Sequence, residues 1–296
     1  MRPTMRPGLQ ILRRDMHTVQ LGLEWPGVAT IRETPALAAV LDAIDGFRDA
    51  RGVLLAASAS GAERRDCESA LSALIDCGAV VDGRDAGPSG VDEGNWSAWW
   101  LLAGPGRDAL DVVALRRSCR VRVDGDGAVA AEARRLLAEA EVGTTDDPGE
   151  ATLTVLASDC EPARSRADAA MHSGLPHLWV YVRDLVGVVG PFVLPGRTAC
   201  LRCADRSRTE RDPAWPTLLD SGEARPLRVP ACDRVLASLV AAWAVQDVAT
   251  WASAIPPQTR DRVVELPQGG QVQTEVFAPH PLCGCGWPVW HDTMDG

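Results

Sequence analysis

The sequence predicts an α/β protein in two parts, and three observations predict it. Strand-like and then helical apolar patterns fill residues 1–82, in an order typical of a small winged helix-turn-helix. From Cys119 onward strand and helix patterns alternate, which is typical of a mostly parallel sheet with helices on its faces. Between them, Gly83–Gly94 is rich in Gly, Asp, Pro and Ser, which predicts a linker. We therefore predict domains at 1–82 and 119–296, joined by a connecting segment at 83–118.

The first domain is predicted to contain three strands, three helices and a closing strand. Alternating apolar residues place the first strands at Leu9–Leu12, Thr18–Leu23 and Val28–Ile31. Thr34 followed by Pro35 is typical of a helix N-terminus, because threonine caps the first turn and proline is tolerated at the first helical position. The predicted helices run from Pro35 to about Gly46, from about Phe47 to Ala57 and from Ala62 to Cys77, and the last strand is Ala79–Val81.

Beyond the linker, helical and extended patterns follow one another. Trp96, Trp99 and Trp100 come first, in a cluster more typical of packing between two domains than of a ligand cage. The predicted helices are Arg107–Arg117, Ala128–Ala140, Ala163–Met171 and Pro230–Trp251. The predicted strands are Val121–Val123, Ala151–Ala157, Leu178–Val182, then Leu185–Leu194 as one long strand or a pair, and Val263–Leu266 with Val272–Phe277 as a hairpin.

The charge of the chain argues against nucleic acid as a partner. Its formal net charge is -10 and its pI is near 5.0, whereas phosphate backbones are bound by basic patches. The predicted third helix begins with mixed charges that include Glu63, Arg64, Arg65 and Asp66, so a DNA-binding winged helix is the weaker alternative. The sequence shows no secretory signal, and no window approaches the roughly 18 apolar residues of a membrane span. We therefore predict a cytoplasmic protein without a membrane partner.

Two closely spaced cysteine pairs carry the strongest chemical signal. Cys200 and Cys203 form a Cys-x-x-Cys motif, and Cys283 and Cys285 form a second pair. Four thiolates can surround one tetrahedral Zn²⁺, and because the protein supplies all four ligands, the predicted site is closed and structural. His280 is an alternative fourth ligand. The other interpretations are four unligated thiols, or a redox Cys-x-x-Cys motif that leaves the second pair unexplained.

A glycine-rich turn lies between a predicted strand and a predicted helix, where a nucleotide-binding loop belongs. Gly125 and Gly127 fit the first two glycines of a G-x-G-x-x-G/A motif, and Ala130 fits the third position. Asp124 and Asp126 in the same turn would repel a pyrophosphate. The 30 basic side chains are all arginine, so a lysine contact to phosphate is excluded.

Together these motifs resemble the ThiF/MoeB-type adenylating superfamily. The resemblance rests on the glycine turn, on the strand ending in Ala157-Ser158-Asp159 with Arg164 five residues on, and on the two cysteine pairs. More narrowly, the winged-helix start and the stretches GPFVLPGRTACLRC and HPLCGCGW resemble ThiF-like, leader-peptide-binding proteins of azole and azoline peptide biosynthesis. These proteins are also called ocin-ThiF-like or cyclodehydratase F proteins, and they are degenerate relatives of the adenylating enzymes.

This resemblance implies a PqqD-like winged-helix peptide-recognition module followed by a Rossmann-like ThiF-type domain with a four-cysteine structural zinc. Such proteins bind the leader of a ribosomally made precursor peptide and present it to a YcaO-type cyclodehydratase, which performs the ATP-dependent azoline formation. The chain is then non-catalytic and has no catalytic residues of its own. The alternative is an active ATP-dependent adenylating or cyclodehydrating enzyme that uses the glycine turn, Asp159 and Arg164.

Departures from the adenylating pattern favour the non-catalytic interpretation. In active relatives, a long segment after the glycine loop carries the ribose acid, an arginine and a lysine, whereas about 30 residues separate Gly127 from Asp159 here. Gly125, Gly127, Asp159 and Arg164 are therefore predicted to form a degenerate nucleotide loop that binds no ATP. In this interpretation Asp159 caps the loop, and Arg164 lies at the surface or in an ion pair.

The resemblance places the leader peptide between the third strand and the third helix of the first domain. An added peptide strand there would gain affinity from backbone hydrogen bonds and selectivity from side-chain pockets. The predicted contacts are Val28, Ala29, Thr30 and Ile31 on the strand, and Arg64, Arg65, Leu71, Leu74 and Ile75 on the helix. Leu71, Leu74 and Ile75 are expected to belong mostly to the core of the domain, so that only the edge of this stripe would reach a ligand. The two arginines would pair with acidic leader residues. The sequence leaves the oligomeric state open, a homodimer included.

Overall fold

The structure is a computed structural model that describes residues 1–24, 28–83, 91–104, 107–225 and 227–286. The chain folds into two compact units, Met1–Ala114 (the first unit) and Leu115–Gly296 (the second unit). It is a mixed α/β protein whose largest sheet has six strands. Most of the predicted linker Gly83–Gly94 lies outside the described residues, and the predicted domain limits at 82 and 119 stay predictions.

The first unit contains two small antiparallel sheets. Its strands are β1 Pro3–Met5, β2 Ile11–Arg13, β3 Thr18–Leu21, β4 Ala29–Arg32 and β5 Val80–Asp82. One sheet has the order β2-β3-β4, so β4 lies at its edge, and the other sheet pairs β1 with β5. The sequence pattern gives no signal for β1, because three residues are too few to show alternation.

The helices of the first unit pack around two apolar clusters. They are α1 Pro35–Ala43, α2 Ala50–Ala59, α3 Arg64–Asp76, α4 Glu93–Ala103 and α5 Ala109–Ser118, whose last residues belong to the second unit. Thr34 caps α1, since its hydroxyl oxygen accepts a hydrogen bond from Leu37 N–H at 3.1 Å. The buried core residues of α1, α2 and α3 include Leu37, Val40, Val53, Cys67, Leu71 and Leu74.

Helix α4 contains the tryptophan cluster and has no counterpart among the predicted helices. Its apolar residues surround the helix rather than form a stripe, so the helical period is hidden. Asp92 caps α4 by accepting hydrogen bonds from the N–H groups of Gly94 and Asn95 at 2.9 and 3.1 Å. Trp99 and Trp100 are buried in a cluster with Ala103, Ala109, Val112 and Val113. The tryptophans therefore form part of the core of the first unit.

In the second unit, the six-stranded sheet has the order β11-β10-β9-β8-β7-β6. Its strands are β6 Val121–Asp124, β7 Leu153–Ser158, β8 His177–Arg183, β9 Val186–Val193, β10 Arg262–Pro267 and β11 Gln273–Val276. Strands β6, β7 and β8 run parallel, and every later pairing is antiparallel. The prediction of a mostly parallel sheet is therefore wrong for half of the sheet, whereas the predicted hairpin of β10 and β11 is present.

A tight turn after β8 causes the change of direction. Only Asp184 and Leu185 separate β8 from β9, and their φ angles are 49° and 64°. Two-residue turns with positive φ at both positions are type I′ turns, which join antiparallel strands. Asp-Leu is not a residue pair that usually signals this turn. For this reason the sequence pattern does not separate one long strand from a hairpin.

Helices cover both faces of the sheet. They are α6 Ala128–Glu139, α7 Arg164–His172, α8 Leu201–Arg211, α9 Trp215–Ala224 and α10 Arg234–Ala252. On one face, α6 and α10 pack against Val155 and Val180, and on the other face α7 and α8 pack against Leu156 and Trp179. The sequence pattern gives no signal for α8, which is highly charged, or for α9, which buries none of its residues.

Helix α10 is the one described helix that is long and apolar enough, by length and composition alone, to cross a membrane. Of its most apolar window, 56% is buried inside the protein. Leu236, Val240 and Val248 of α10 belong to the buried core cluster of the second unit. Burial of this kind is what the core helix of a globular protein shows.

The chain between α6 and β7 makes one strand-like contact at the outer edge of β6. Val121 N–H donates to Gly143 O at 2.9 Å, and Thr145 N–H donates to Val121 O at 3.1 Å, which forms a parallel bridge. In a Rossmann-like unit, the acid that binds the nucleotide ribose follows about 20 residues after the glycine loop. Here the bridge is at the start of β6, about 10 Å along the strand from the glycine turn. The neighbouring strand is therefore too short to bring an acid to that turn.

Candidate metal centre, glycine turn and strand-edge groove

The two cysteine pairs lie on separate turns of the second unit. Cys200 is the N-cap residue of α8, and Cys203 lies in the first turn of this helix. Cys283 and Cys285 flank Gly284, whose φ of 79° is a backbone conformation that glycine adopts without strain. The start of α8 and the turn at Gly284 bring four thiols together from two distant parts of the sequence.

The four sulfur atoms lie within 4.8 Å of one another. The Sγ–Sγ distances are 3.8 Å for Cys200 and Cys203, 3.6 Å for Cys200 and Cys283, and 3.3 Å for Cys203 and Cys285. A tetrahedral site with metal–sulfur bonds of about 2.3 Å places its sulfur atoms roughly 3.8 Å apart. The four cysteines therefore form a cluster that can bind a metal ion.

The thiols of the cluster affect one another's protonation. Cys203 Sγ accepts hydrogen bonds from the Cys200 thiol and from His280 N–H, and the first of these is the main reason why the pKa of Cys203 is lowered to about 4. Burial is the main cause that raises the pKa of Cys285 to about 12. Several thiolates this close repel one another, and a divalent cation removes that repulsion.

His280 lies beside the cluster, but both of its ring nitrogen atoms have other partners. Its Nε2 lies 3.1 Å from Glu210 Oε1, and its Nδ1 accepts a hydrogen bond from Leu282 N–H at 3.1 Å. The contribution of His280 to the cluster is its backbone N–H, which donates to Cys203 Sγ at 3.3 Å. This geometry favours the four-cysteine ligand set over the alternative that includes the His280 ring.

The glycine turn after β6 is in close contact with the end of β7. A Cβ atom on Gly125 would lie 2.2 Å from Ala157 O, and a Cβ atom on Gly127 would lie 2.3 Å from the carboxyl carbon of Asp159. Gly125 also has a φ of 149°, which other residues rarely adopt. Both glycines are therefore required for the approach of the neighbouring strand end, whether or not a ligand binds.

The carboxylate of Asp159 occupies the N-terminus of α6. Its Oδ2 accepts a hydrogen bond from Ala128 N–H at 2.7 Å, and its Oδ1 accepts one from Val129 N–H at 3.0 Å. Free N–H groups at a helix N-terminus are the donors that bind phosphate in nucleotide loops. In this chain the anion at these donors is an aspartate of the chain itself. A phosphate would have to displace Asp159 to reach them.

Arg164 is buried and ion-paired. Its guanidinium donates to both carboxylate oxygens of Asp205 at 2.7 and 2.8 Å and lies 2.7 Å from Glu161 Oε1. Burial alone would lower the pKa of Arg164, but the hydrogen bonds to Asp205 and the charge of Glu161 raise it above its ordinary value. The guanidinium is therefore held by carboxylates of the chain.

A groove lies beside the edge strand β4 of the first unit. It is a cavity of about 360 Å³ between β4, the start of α1 and one face of α3. Its lining residues are Ile31, Arg32, Thr34, Leu37, Asp66, Ser69 and Ala70. This groove, which we call the β4–α3 groove, lies between the strand and the helix at which the sequence analysis predicts peptide binding.

The predicted peptide contacts on the strand lie along this edge. Val28, Ala29 and Ile31 are half-buried, and Thr30 is exposed. Of these residues, Ile31 lines the β4–α3 groove. Arg32, the last residue of β4, also lines the groove and is absent from the predicted set, because the predicted strand ends one residue too early.

The predicted contacts on the helix need a correction. Leu71 is 4% exposed and Leu74 is 0% exposed, and both lie in the core of the first unit, so they cannot contact a ligand in the groove. Ile75 is half-buried, and Arg64 and Arg65 are exposed, with Arg64 Nε 2.9 Å from Glu68 Oε1. The helix residues that line the groove are Asp66, Ser69 and Ala70. An apolar stripe marks the core face of a helix and not its polar, small-residue face, which is why these three were missed.

These features define a mixed α/β protein of two units, with an edge-strand groove, a glycine turn capped by its own aspartate and a four-cysteine cluster. No protein-family model matches the chain, and no curated protein matches it by sequence. Solved structures do share its fold.

The structure of E. coli MccB with succinimide has a TM-score of 0.66 at 13% identity, and the match covers 96% of this chain and 99% of MccB. E. coli MccB with ATP has a TM-score of 0.65 at 13% identity, covering 97% of this chain and 100% of MccB. The heterocyclase TruD has a TM-score of 0.71 at 18% identity, covering 96% of this chain but 42% of TruD. The chain therefore has the fold that MccB and part of TruD share.

We predict that Asp159→Ala destabilises the second unit by about 1–2 kcal/mol, because two N–H groups at the start of α6 lose their charged acceptor. Urea unfolding of the full chain measures this loss. Asp159→Asn keeps an acceptor oxygen and should lose less. The matched control is Asp146→Ala, which removes an equal charge from an exposed position. Equal unfolding midpoints for Asp159→Ala and Asp146→Ala would contradict the capping role.

Proposed function

We propose that this chain binds the leader of a ribosomally made precursor peptide and presents it to a YcaO-type cyclodehydratase for azoline formation. In this proposal the chain is cytoplasmic and non-catalytic. The first unit contains a PqqD-like winged-helix module that holds the leader, and the second unit is a ThiF-type domain with a structural zinc. The observation that carries the proposal is the outer edge of β4 beside the β4–α3 groove, which no other strand among the described residues pairs with.

The edge of β4 offers backbone groups to an added strand. Hydrogen bonding alternates along an antiparallel pair, and Glu33 N–H donates to His17 O across the β3–β4 pair. By this alternation, Ala29 and Ile31 direct their N–H and C=O groups toward β3, whereas Thr30 and Arg32 direct theirs away from it. Strand β4 is the last strand in the sheet order, so the groups of Thr30 and Arg32 are available to a peptide in extended conformation.

The β4–α3 groove supplies side-chain selectivity. Every second side chain of an added strand faces the same way, so a leader bound along β4 would direct alternate side chains over the groove. Leu37 and Ala70 form apolar lining, and Arg32 and Asp66 place opposite charges beside it. Arg65, exposed at the start of α3, adds a positive charge for an acidic leader residue.

Three features of the second unit support a non-catalytic role. Asp159 occupies the two helix N–H groups that a phosphate needs. The strand neighbouring β6 is reduced to a single bridge at Thr144, far from the glycine turn. The chain also lacks lysine, so the phosphate contact that lysine makes in nucleotide loops has no donor here.

The four-cysteine cluster supports a structural zinc. Zinc accepts four thiolates in tetrahedral geometry, which the Sγ–Sγ distances fit. All four positions are protein ligands, so no open position remains for water or substrate. Bound zinc would hold the turn of Cys283 and Cys285 to the start of α8, and its binding free energy would contribute to folding.

The solved structures add support of two kinds. MccB, a microcin C7 biosynthetic enzyme, has been solved in complex with N-formylated MccA, which supports a precursor peptide as the ligand of this chain. TruD is a heterocyclase, and this chain matches 42% of it. A heterocyclase among the proteins that share this fold supports azoline formation as the reaction that the chain serves.

We predict that Thr30→Pro weakens binding of the leader about ten-fold or more. Proline removes the outward N–H of Thr30, which an added strand needs as a donor, while the Ile31 and Ala29 bonds to β3 remain. The neighbouring genes are searched for a short Cys/Ser/Thr-rich precursor, and its labelled leader peptide is the probe. Fluorescence anisotropy measures the affinity of this peptide for the full protein.

One variant controls for this change, and a second variant tests the groove. Thr30→Val keeps the N–H and should bind the leader as the unchanged protein does. Ser69→Leu fills the groove without touching the strand edge, and we expect it to weaken binding as well. Unchanged affinity in both Thr30→Pro and Ser69→Leu, with the first unit still folded by circular dichroism, would rule out this binding site.

We predict one zinc ion per chain in protein purified without chelators, as measured by elemental analysis. Cys203→Ser should reduce the zinc content to near zero and lower the thermal stability of the second unit, because a thiolate ligand is lost. Cys232→Ser is the matched control, since Cys232 lies outside the cluster. Freshly purified protein with no bound metal would contradict the structural zinc.

The alternative of an active adenylating enzyme makes the opposite prediction for ATP. We expect the purified chain to show no ATP–pyrophosphate exchange and no saturable ATP binding by calorimetry, with or without the leader. Exchange activity that is lost in Asp159→Ala and Arg164→Ala, but kept in Asp146→Ala, would favour the enzyme instead.

A further inference from the structure

A second candidate binding site lies in the second unit. It is a cleft of about 600 Å³ among α7, α8, α9 and the turn that follows His280. Cavities of this size are typical of ligand sites in proteins. None of the four clustered cysteines lines this cleft, which we call the α8–α9 cleft.

Acidic side chains outnumber basic ones in the α8–α9 cleft. Five carboxylates line it, against three guanidinium groups. Two of these guanidinium groups already have carboxylate partners, because Arg164 pairs with Asp205 and Arg202 pairs with Asp168 at 2.6 Å. The third, Arg206, is exposed. The cleft therefore favours a cationic ligand over an anionic one.

Helix α9 supplies the carboxylates that remain available to a ligand. Asp220 is exposed and lines the cleft. Glu223 also lines it, and its Oε1 accepts a hydrogen bond from Arg164 N–H at 2.7 Å, which leaves capacity on its second oxygen. Guanidinium and ammonium groups carry only donors, so they match two neighbouring carboxylates.

The same cleft has an apolar wall. Trp215, Leu219 and Leu282 line it, and Leu282 is 72% exposed. Trp215 is fixed in place, since its Nε1 donates to Asp205 at 3.0 Å and its ring lies 5.4 Å from the guanidinium carbon of Arg208. No residue of helix α9 is fully buried in the part of the chain that the structure describes, and Trp215 and Leu219 are half-buried. The exposed side of α9 is therefore accessible among the described residues.

We propose that the α8–α9 cleft binds an arginine or lysine side chain of an extended peptide segment. The cation lies between Asp220 and Glu223, and a neighbouring apolar residue of the peptide packs against Leu219 and Leu282. The cleft is larger than one side chain, and it has a charged wall beside an apolar wall. It therefore suits a basic residue together with a neighbouring apolar residue of the same peptide. The formal net charge of -10 adds long-range attraction for a basic segment. This site is distinct from the β4–α3 groove and goes beyond the proposed leader binding.

The test uses the full chain and three probes. The basic probe is the peptide acetyl-Leu-Arg-Leu-amide, its charge-reversed partner is acetyl-Leu-Glu-Leu-amide, and agmatine represents the cation without a peptide. Calorimetry measures the affinities, and the indole N–H resonance of Trp215, assigned with Trp215→Phe, reports occupancy of the cleft. We expect the basic peptide to bind, to shift this resonance and to weaken as salt is raised, because salt screens exposed charges.

Charge-neutral variants locate the cation. Asp220→Asn should weaken the basic peptide about three-fold, and Asp220→Asn combined with Glu223→Gln about ten-fold, in line with partly exposed charge pairs. Glu223→Gln keeps the acceptor for Arg164 N–H. The matched control is Asp184→Asn, which removes one exposed carboxylate outside the cleft. It should leave the affinity unchanged, as should Thr30→Pro in the β4 edge.

Three results would overturn the proposal. The first is equal affinity for the Arg and Glu peptides, or no binding of the basic peptide. The second is binding of agmatine as tight as that of the basic peptide, which would make the cleft a small-amine site. The third is an affinity that the double variant leaves unchanged. None of these results bears on leader binding, which is measured with a different peptide and different variants.

Discussion

The hydrogen bonds from the start of α6 to Asp159 are the constraint on which the second unit depends. They join the loop after β6 to the loop after β7, and Gly125 and Gly127 allow the two loops to approach this closely. A helix N-terminus needs an anion or acceptor, and here the chain supplies one. The N–H donors at the start of α6 are thus used within the chain to stabilise the second unit.

Several arginine side chains of the second unit are likewise paired with carboxylates of the same unit. Arg164 is held by Asp205 and Glu161, and Arg183 and Arg208 share Glu265, with nitrogen–oxygen distances of 2.8 and 3.1 Å. Arginine suits this arrangement because its planar guanidinium can serve two carboxylates at once. A charge buried without a partner would be costly, so these groups stabilise the unit only as complete sets.

The two units therefore differ in what they leave open. The second unit supplies an internal carboxylate for the N-terminus of α6 and carboxylate partners for Arg164 and Arg208, and its four thiols converge on one point. The first unit leaves the outer edge of β4 unpaired among the described residues, beside a groove with both apolar and charged lining. Free backbone donors and acceptors at a sheet edge are a general means of peptide recognition. This contrast is the physical basis for proposing recognition, and not nucleotide chemistry, as the task of the chain.

The sequence by itself determined the features that local chemistry encodes. These are the alternation of strands and helices from Cys119, the cap of α1 at Thr34, the candidate ligand set around Cys200 and Cys283, and the missing lysine. Tertiary structure alone decided the antiparallel half of the sheet, the two helix N–H groups that Asp159 caps, and the residues of α3 that line the β4–α3 groove. The physical reason is that each of these depends on contacts between residues far apart in sequence. The local sequence around a strand, a carboxylate or a helix face does not specify which distant residues it will contact.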